Sequence, residues 1–332
     1  MTGLRLLLAG FGHVGRRLAE LLDRGFPGVE ATVVGVTTGS HGAWADPAGL
    51  PPGRILELYR TRGGFPQRLD TLEIVRSLDY DVLVELSPLA IAARGEPAIA
   101  HVRAALARGR HAVSANKGPV AWAYRELSGL ARERGVRFLF ESAVMDGAPV
   151  FNLRRHCLRG LGIQALDGVL NSTTNVVLGR MEQGAGLEQA VAEAQAMGIA
   201  EADPAADLDG WDAAVKLAAL ANVLMDAELA PEAVLRQGIR HLGPGDLAAA
   251  GRRGRRIKLV CEAARDGGGV SARVEPRELD PAHPFARLEG ADSILRLHTD
   301  LMGRISILEE SPGLDGTAYG VLGDLLTLVS PY

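Results

Sequence analysis

Cysteine is nearly absent from this chain. There are two in 332 residues, Cys157 and Cys261, far apart and in no metal-ligand spacing. That excludes a disulfide framework and a thiolate metal centre, and it points to a protein kept reduced in the cytoplasm. Basic excess is absent too: the formal net charge is −4, which argues against a nucleic-acid partner. One basic run exists, Arg252–Lys258 (RRGRRIK), and it reads as a solvated turn leading into a strand. No apolar stretch is long enough to span a membrane. The apolar start MTGLRLLLAGFG lacks a cleavage site and runs straight into glycines, so it reads as a first strand rather than a signal peptide. Internal repeats are missing as well. What remains is an ordinary globular composition, 47% hydrophobic and 23% charged, over a length that suits two domains.

Continuous apolar runs of strand length occur at Leu4–Ala9, Ala31–Thr37, Asp81–Leu86, His111–Ser114 and Arg137–Glu141. Helical segments lie between them, notably Glu96–Arg108, where Pro97 suits the first helical position, and Ala121–Arg134. Strands rich in Val and Leu alternating with helices predict a parallel sheet covered on both faces, hence a doubly wound domain over the first 140 residues. After about residue 145 the rhythm changes. A strand ending at Asp167–Leu170 precedes helices over Leu187–Met197 and Trp211–Met225. Strands over Ile257–Ala263, Ser271–Val274, Ile294–Thr299 and Ile305–Leu308 predict a second sheet, with Gly267–Gly269 as a turn. A last helix, Gly316–Leu328, can pack back on the first domain.

Gly10-Phe11-Gly12-His13-Val14-Gly15 follows the first strand and opens a helix. Glycines there allow a tight turn and bring a pyrophosphate close to the free amides of a helix N-terminus. At the end of the second strand an acid would bind the ribose 2′-hydroxyl of NAD. Here the chain reads Thr37-Thr38-Gly39-Ser40-His41, with no acid before Asp46 and no arginine nearby. Hydroxyls and a histidine accept a 2′-phosphate, so NADP is expected over NAD. Ser114-Ala115-Asn116-Lys117-Gly118-Pro119 falls just past a strand, at the sheet edge where ligands bind in such folds. A lysine is ordinarily solvated, but at that edge Lys117 can exchange a proton with a substrate oxygen during hydride transfer.

The densest chemistry lies further on. Glu201, Asp203, Asp207, Asp209 and Asp212 fall within twelve positions, and Lys216 follows Asp212 by one helical turn. Asp203-Pro204 and Asp209-Gly210 suit turns and caps, and Asp212 with Lys216 suits a surface helix pair. That ordinary account leaves Glu201, Asp207, Asp212 and Lys216 unexplained as a set, because so many acids need a cation among them.

Together, Gly10–Gly15, the SANKGPVA and NSTTN segments and above all EADPAADLDGWDAAVK closely resemble homoserine dehydrogenase over nearly the whole chain. The resemblance implies a Rossmann-like doubly wound parallel sheet over 1–140, completed by a C-terminal helix at about 316–332. An α+β substrate-binding and dimerisation domain with a mixed sheet would occupy 141–315. It implies NAD(P)-dependent interconversion of aspartate 4-semialdehyde and homoserine in a homodimer. Lys117 matches the catalytic lysine, and Glu201, Asp207, Asp212 and Lys216 match substrate-site residues. Glu201 and Asp212 would hold the substrate ammonium, and Lys117 and Lys216 would bind near the reacting oxygen. Asn171 and Thr173 match the pocket lining, while Glu85 and the Ser87-Pro88 turn resemble the loop that passes the nicotinamide. Gly10 to Gly15, Thr37, Thr38, Ser87, Pro88, Asn116 and Lys117 form the implied cofactor set. Glu141, with Val144, Asp146 and Ala148, resembles a monovalent-cation loop, usually for sodium.

Three departures stand out: Met145-Asp146 in the cation loop, Ser172 in place of a glycine after Asn171, and Glu309–Ala318 in place of a small-residue turn near the cofactor. They leave room for a related enzyme that oxidises another small hydroxy acid or amino alcohol. A non-catalytic dinucleotide-binding sensor would show a degraded lysine–carboxylate set, which this chain does not. A phosphorylating aspartate-semialdehyde dehydrogenase needs a nucleophilic cysteine in its motif, and Cys157 stands outside any. The regulatory amino-acid-binding extension and the kinase fusion of many relatives do not occur within these residues, so feedback through such a domain is not expected.

Overall fold

The structure, a computed structural model, describes residues 3–329. These fall into two compact units, residues up to 152 together with those from 313 onward, and residues 153–312.

The first unit carries β1 (Leu4–Ala9), α1 (His13–Asp23), β2 (Ala31–Thr37), β3 (Ala43–Leu50), α2 (Pro52–Arg62), α3 (Thr71–Ser77), β4 (Val82–Glu85), α4 (Ala98–Ala107), β5 (His111–Ser114), α5 (Gly118–Glu133), β6 (Phe138–Leu139) and a short α6 (Val150–Asn152). The sheet order is β3-β2-β1-β4-β5-β6. β1 pairs in parallel with both β2 and β4, and β5 joins β4 to β6 in the same sense. Strands buried on both faces need apolar side chains at successive positions, which is why β1 reads LRLLLA rather than as an alternation. Leu6, Leu8, Val33, Val36, Val82, Val84 and Val113 form the core, joined by Val321, Leu322 and Leu325 of the C-terminal helix Leu314–Val329. The last residues expected in that helix, 330–332, lie outside the described residues.

Two expectations need correction. The sheet is not wholly parallel, because β3 runs antiparallel to β2 at the edge. Its sequence, AWADPAGL, holds a proline and a glycine that hide it from a strand pattern, and only an edge strand tolerates that proline. The fourth helix begins at Ala98, so Pro97 caps it instead of occupying its first turn.

The second unit carries β7 (Ile163–Val169), α7 (Ser172–Glu182), α8 (Leu187–Ala196), α9 (Ala205–Leu208), α10 (Trp211–Leu224), β8 (Leu235–Arg236), α11 (Pro244–Arg252), β9 (Arg256–Arg265), β10 (Val270–Leu279), β11 (Ser293–Thr299) and β12 (Arg304–Glu309). Its order is β12-β11-β7-β9-β10-β8, antiparallel throughout except for the β10–β8 pair. Helices α7, α10 and α11 pack on β9. The other face presents ion pairs, Asp167 with Arg296 and Glu262 with Arg273 and Arg277.

The basic run Arg252–Lys258 starts on the last residue of α11 and turns through Arg253–Arg255; β9 then carries its last cation inside. Lys258 is 1% exposed, and its Nζ donates to Asn175 Oδ1 at 2.6 Å and to the Leu288 carbonyl at 2.8 Å. Burial pulls its pKa down from 10.5 to about 8. Both cysteines are free thiols; Cys261 is fully buried, and burial pushes its pKa up to about 12.

Candidate active site

In the first unit, β1 delivers the chain into the glycine turn at the carboxyl edge of the sheet. Gly10 has φ +110°, and a Cβ there would stand 2.4 Å from the Leu86 carbonyl carbon, so no other residue fits. Gly12, at the N-cap of α1, faces open space, and no side chain caps that helix. Free first-turn amides beside an open glycine suit a pyrophosphate, offered by the backbone of His13 and Val14. The Phe11 side chain points the other way. Its ring packs in the core 5.3 Å from Tyr59 and 5.4 Å from Phe65.

At the end of β2, Thr37 is fully buried and its hydroxyl accepts from Thr71. The Thr38 hydroxyl donates to the Gly42 carbonyl and accepts from the His41 amide. Neither threonine is therefore the free hydroxyl that the sequence suggests. The absence of a nearby arginine is corrected as well. Arg16, on the first turn of α1, lies 5.8 Å from the Tyr59 ring, and His41 packs 5.8 Å from the same ring. Only the fold brings residues 16, 41 and 59 together.

Next along the sheet edge, the Glu85 carboxylate is fully buried. It accepts from the Ser87 amide at 2.8 Å and from the Ser87 hydroxyl, and it pairs with His101 Nδ1 at 2.8 Å. Asn116 spends its amide group on the Ser87 and Pro88 carbonyls, and its Oδ1 accepts from the Gly118 amide. The carboxamide thus ties the Ser87-Pro88 turn to the start of α5. Lys117, half-buried, is the residue that precedes that helix. His101 gives no signal in sequence, since it sits one among many on a helix face.

Further on, Glu141 is 3% exposed, and its two oxygens accept from the amides of Phe151 (2.8 Å) and Asn152 (2.7 Å). Met145 and Asp146 both have positive φ, which turns the loop sharply. The Asp146 carboxylate accepts from the Thr317 hydroxyl at 3.0 Å, and the Ala148 carbonyl accepts from Val150. Asp315, one of the departures, pairs with Arg17 at 2.5 Å.

In the second unit, β7 ends at Val169 and α7 begins at Ser172, with Asn171 between them as N-cap. Asn171 Oδ1 accepts from the Thr174 amide, the cap itself. Its Nδ2 donates to Asp207 Oδ1 at 2.6 Å and to Asp212 Oδ2 at 2.9 Å. Lys216 Nζ meets Asp212 at 3.0 Å and donates to the Leu170 carbonyl at 2.8 Å. Thr173, 5% exposed, donates its hydroxyl to the Ile199 carbonyl at 3.3 Å and lies close enough to Asp207 to favour its charged form. The Asp207 pKa is raised, first by burial and second by the neighbouring Asp212; Asn171, Lys216 and Thr173 oppose the rise.

The sequence-predicted set therefore converges for Asn171, Thr173, Asp207, Asp212 and Lys216. Glu201 is exposed on the segment after α8, and among the described residues no hydrogen bond ties its carboxylate to the others. Asp203 caps the Ala205 amide, as a turn residue should. Asp209 does more than turn the chain: it pairs with Arg240 at 2.5 Å. The Ser172 hydroxyl donates to the Ala291 carbonyl at 2.8 Å, so it holds a loop and is not left open for a substrate.

A glycine turn at the edge of a parallel sheet, with a lysine at the head of a neighbouring helix, defines a dinucleotide-dependent oxidoreductase. The Homoserine dehydrogenase model matches residues 149–326, and the model of the Homoserine dehydrogenase NAD binding domain matches residues 10–141. A NAD(+)-dependent homoserine dehydrogenase of Pseudomonas canavaninivorans is 37% identical over 98% of this chain and 96% of its own. The homoserine dehydrogenase of Methanocaldococcus jannaschii is 33% identical over 97% of both chains. Among solved structures, a putative homoserine dehydrogenase from Archaeoglobus fulgidus superposes with a TM-score of 0.88 at 32% identity, covering 98% of this chain and 99% of that one. A hyperthermophilic archaeal homoserine dehydrogenase in complex with NADPH gives 0.83 at 29%, covering 98% and 97%. The chain belongs to the homoserine dehydrogenase family, and it is an NAD(P)-dependent oxidoreductase acting on a CH–OH group.

Proposed function

We propose that this enzyme interconverts aspartate 4-semialdehyde and L-homoserine, and that it uses NADP(H) in preference to NAD(H). The observation that carries the reading is the Asn171–Asp207–Asp212–Lys216 network, two carboxylates joined by one amide, with a lysine paired to the second. Such a set suits a substrate with an ammonium group and a reacting oxygen. Asp207 receives the ammonium, helped by Asp212, with Glu201 as an outer carboxylate and Thr173 lining the pocket. Lys216 binds the carbonyl or alcohol oxygen. The nicotinamide supplies or takes the hydride. Lys117 is the general acid in the reductive direction, giving its proton to the carbonyl oxygen and taking it back in oxidation.

The preference for NADP(H) rests on the lack of any acid at the end of β2 and on Arg16 and His41 beside Tyr59. The pyrophosphate falls to the backbone from Gly10 to Gly15, and the Ser87-Pro88 turn, fixed by Glu85 and Asn116, receives the nicotinamide. Glu141 with the carbonyls of Val144, Asp146 and Ala148 offers one carboxylate and neutral oxygens, a donor set that suits sodium better than a divalent ion. A cation there is structural. A second copy of the chain completes the enzyme as a cytoplasmic homodimer; the outer strand β12, with Leu308 exposed, leaves an open sheet edge for it.

The test follows NADPH and NADH oxidation on addition of aspartate 4-semialdehyde, for wild type and Lys117→Ala. Wild type should turn over, faster with NADPH at low cofactor, and the variant should lose about 100-fold or more in kcat. No turnover by wild type sinks the assignment of substrate, and equal turnover by the variant sinks the role of Lys117.

A further inference from the structure

The turn that separates Asp207 from Asp212 is held from behind by the segment that follows β8. Ile239 donates its amide to the Leu208 carbonyl at 2.8 Å. A Cβ on Gly238 would stand 2.2 Å from that same carbonyl oxygen, so the two backbones touch. Arg236 donates to the Asp209 carbonyl, and Arg240 pairs with the Asp209 carboxylate at 2.5 Å. Between segment and turn lies a cleft of about 270 Å³ lined by Asp209, Trp211, Arg236, Gly238, Arg240 and His241.

Its charge is unbalanced. Two guanidinium groups face one carboxylate, and that carboxylate is already paired with Arg240. Arg236 is stacked on the Trp211 indole, 4.0 Å from the ring centroid, and no carboxylate among the described residues lies within ion-pair distance of it. A guanidinium packed against an aromatic ring loses little further freedom on binding, and its N–H fork suits two-point capture of an oxyanion. Structural support for the turn uses a single N–H of Arg236, to the Asp209 carbonyl, while the residue also lines the cleft.

We propose that this cleft is a phosphate-binding site, taking inorganic phosphate or a small phosphomonoester on Arg236 and Arg240 with His241 at its margin. The Asp209 carboxylate is the internal competitor for Arg240, and its backbone carbonyl holds one N–H of Arg236. Phosphate draws both arginines from Asp209, loosens the turn, and so changes the spacing of Asp207 and Asp212. The binding half stands on the cleft alone, whereas the effect on substrate rests on the reading given under Proposed function.

The experiment is calorimetric titration of inorganic phosphate, and separately of glycerol phosphate, into the full chain saturated with NADP+ at constant ionic strength. Filling the dinucleotide site keeps the probe from the free amides at the start of α1. Wild type should show one saturable site. Arg236→Gln and Arg240→Gln should each weaken it about tenfold or more, as expected for loss of a charge-assisted hydrogen bond. Asp209→Asn, which removes the carboxylate that competes for Arg240, should tighten it. Binding of both probes alike identifies the phosphate group as the determinant, and binding of one alone identifies the source.

No saturable heat in wild type overturns the proposal, as does unchanged affinity in Arg240→Gln, whose exposed side chain is the safer substitution if Arg236→Gln folds poorly. Weaker binding in Asp209→Asn overturns the competition. The KM for aspartate semialdehyde should shift with phosphate; a constant KM with binding intact refutes the coupling. Since binding is read as heat, absence of turnover with that substrate leaves the site itself decidable.

Discussion

Replacing Lys258 by methionine should change how the stability of the enzyme depends on pH, in a direction opposite to the usual expectation for a lysine that gains a partner. Its ammonium group is buried to 1% exposure against two neutral acceptors, the Asn175 amide oxygen and the Leu288 carbonyl. Burial favours the neutral amine in the folded chain, while the unfolded chain keeps the ordinary value of 10.5. Between about pH 8 and 10.5 the unfolded state therefore binds more protons, and wild-type stability gains with rising pH relative to the variant. Moving a lysine from 10.5 to about 8 corresponds to about 3 kcal/mol. Methionine removes this pH-dependent contribution, along with two hydrogen bonds whose loss costs about 1–3 kcal/mol at every pH. Both hydrogen bonds survive deprotonation, because a neutral amine still has two N–H groups to give. The buried thiol of Cys261 and the phenol of Tyr80 each have pKa values pushed up to about 12, so they lower stability at alkaline pH; present in both proteins, they cancel in the difference. Urea unfolding of wild type and Lys258→Met from pH 6 to 10.5 should give a difference that is flat to about pH 8. Above that it should rise in favour of wild type by about 3 kcal/mol. A difference that stays flat to pH 10, or that falls, refutes the claim that the ammonium group is desolvated.

Two further outcomes follow from the site. Asn171→Ala removes the α7 cap and the donor shared by Asp207 and Asp212, and it should cost about 2 kcal/mol of stability in thermal unfolding. Because Asn171 opposes the rise in the Asp207 pKa, its loss should also move the acid limb of the kcat/KM profile to higher pH, and an unmoved limb counts against the network. Arg16→Ala should raise KM for NADPH about tenfold while leaving KM for NADH within a factor of two, as loss of one charged hydrogen bond to a 2′-phosphate predicts; an equal change for both coenzymes refutes its assignment to that group.

What was legible in the sequence followed locality. The glycine turn, the parallel strands that feed it and the lysine before α5 are encoded in runs of neighbours, and each appears where the pattern puts it. The β3 edge escaped because Pro47 and Gly49 contradict strand propensity and are tolerated only where one side of the strand is unpaired. Arg16 with His41, Glu85 with His101, and Asp209 with Arg240 escaped for a different reason. Their members are 25, 16 and 31 positions apart, and no short-range periodicity links such partners. Lys258 was misread because a basic run ordinarily marks a solvated turn, and nothing local shows that β9 turns its third residue inward.

The acidic stretch itself changes meaning once its partners are known. Many carboxylates in so few positions need a cation, and Lys216 already supplies one, to Asp212. Asp209 has a second in Arg240, and Asp203 is satisfied by a backbone amide. Asp207 alone of the inner carboxylates rests on a neutral donor, the Asn171 amide, with Thr173 nearby and Lys216 acting on it only at a distance. Burial and Asp212 both penalise its charge, and that cost is the one a substrate ammonium would relieve under the proposed function. Binding energy is greatest where the protein leaves an ionisable group short of its counter-charge. Under the proposed function the ammonium would therefore sit at Asp207 more than at Asp212, whose charge is already met by Lys216, itself held by Asp212 and the Leu170 carbonyl.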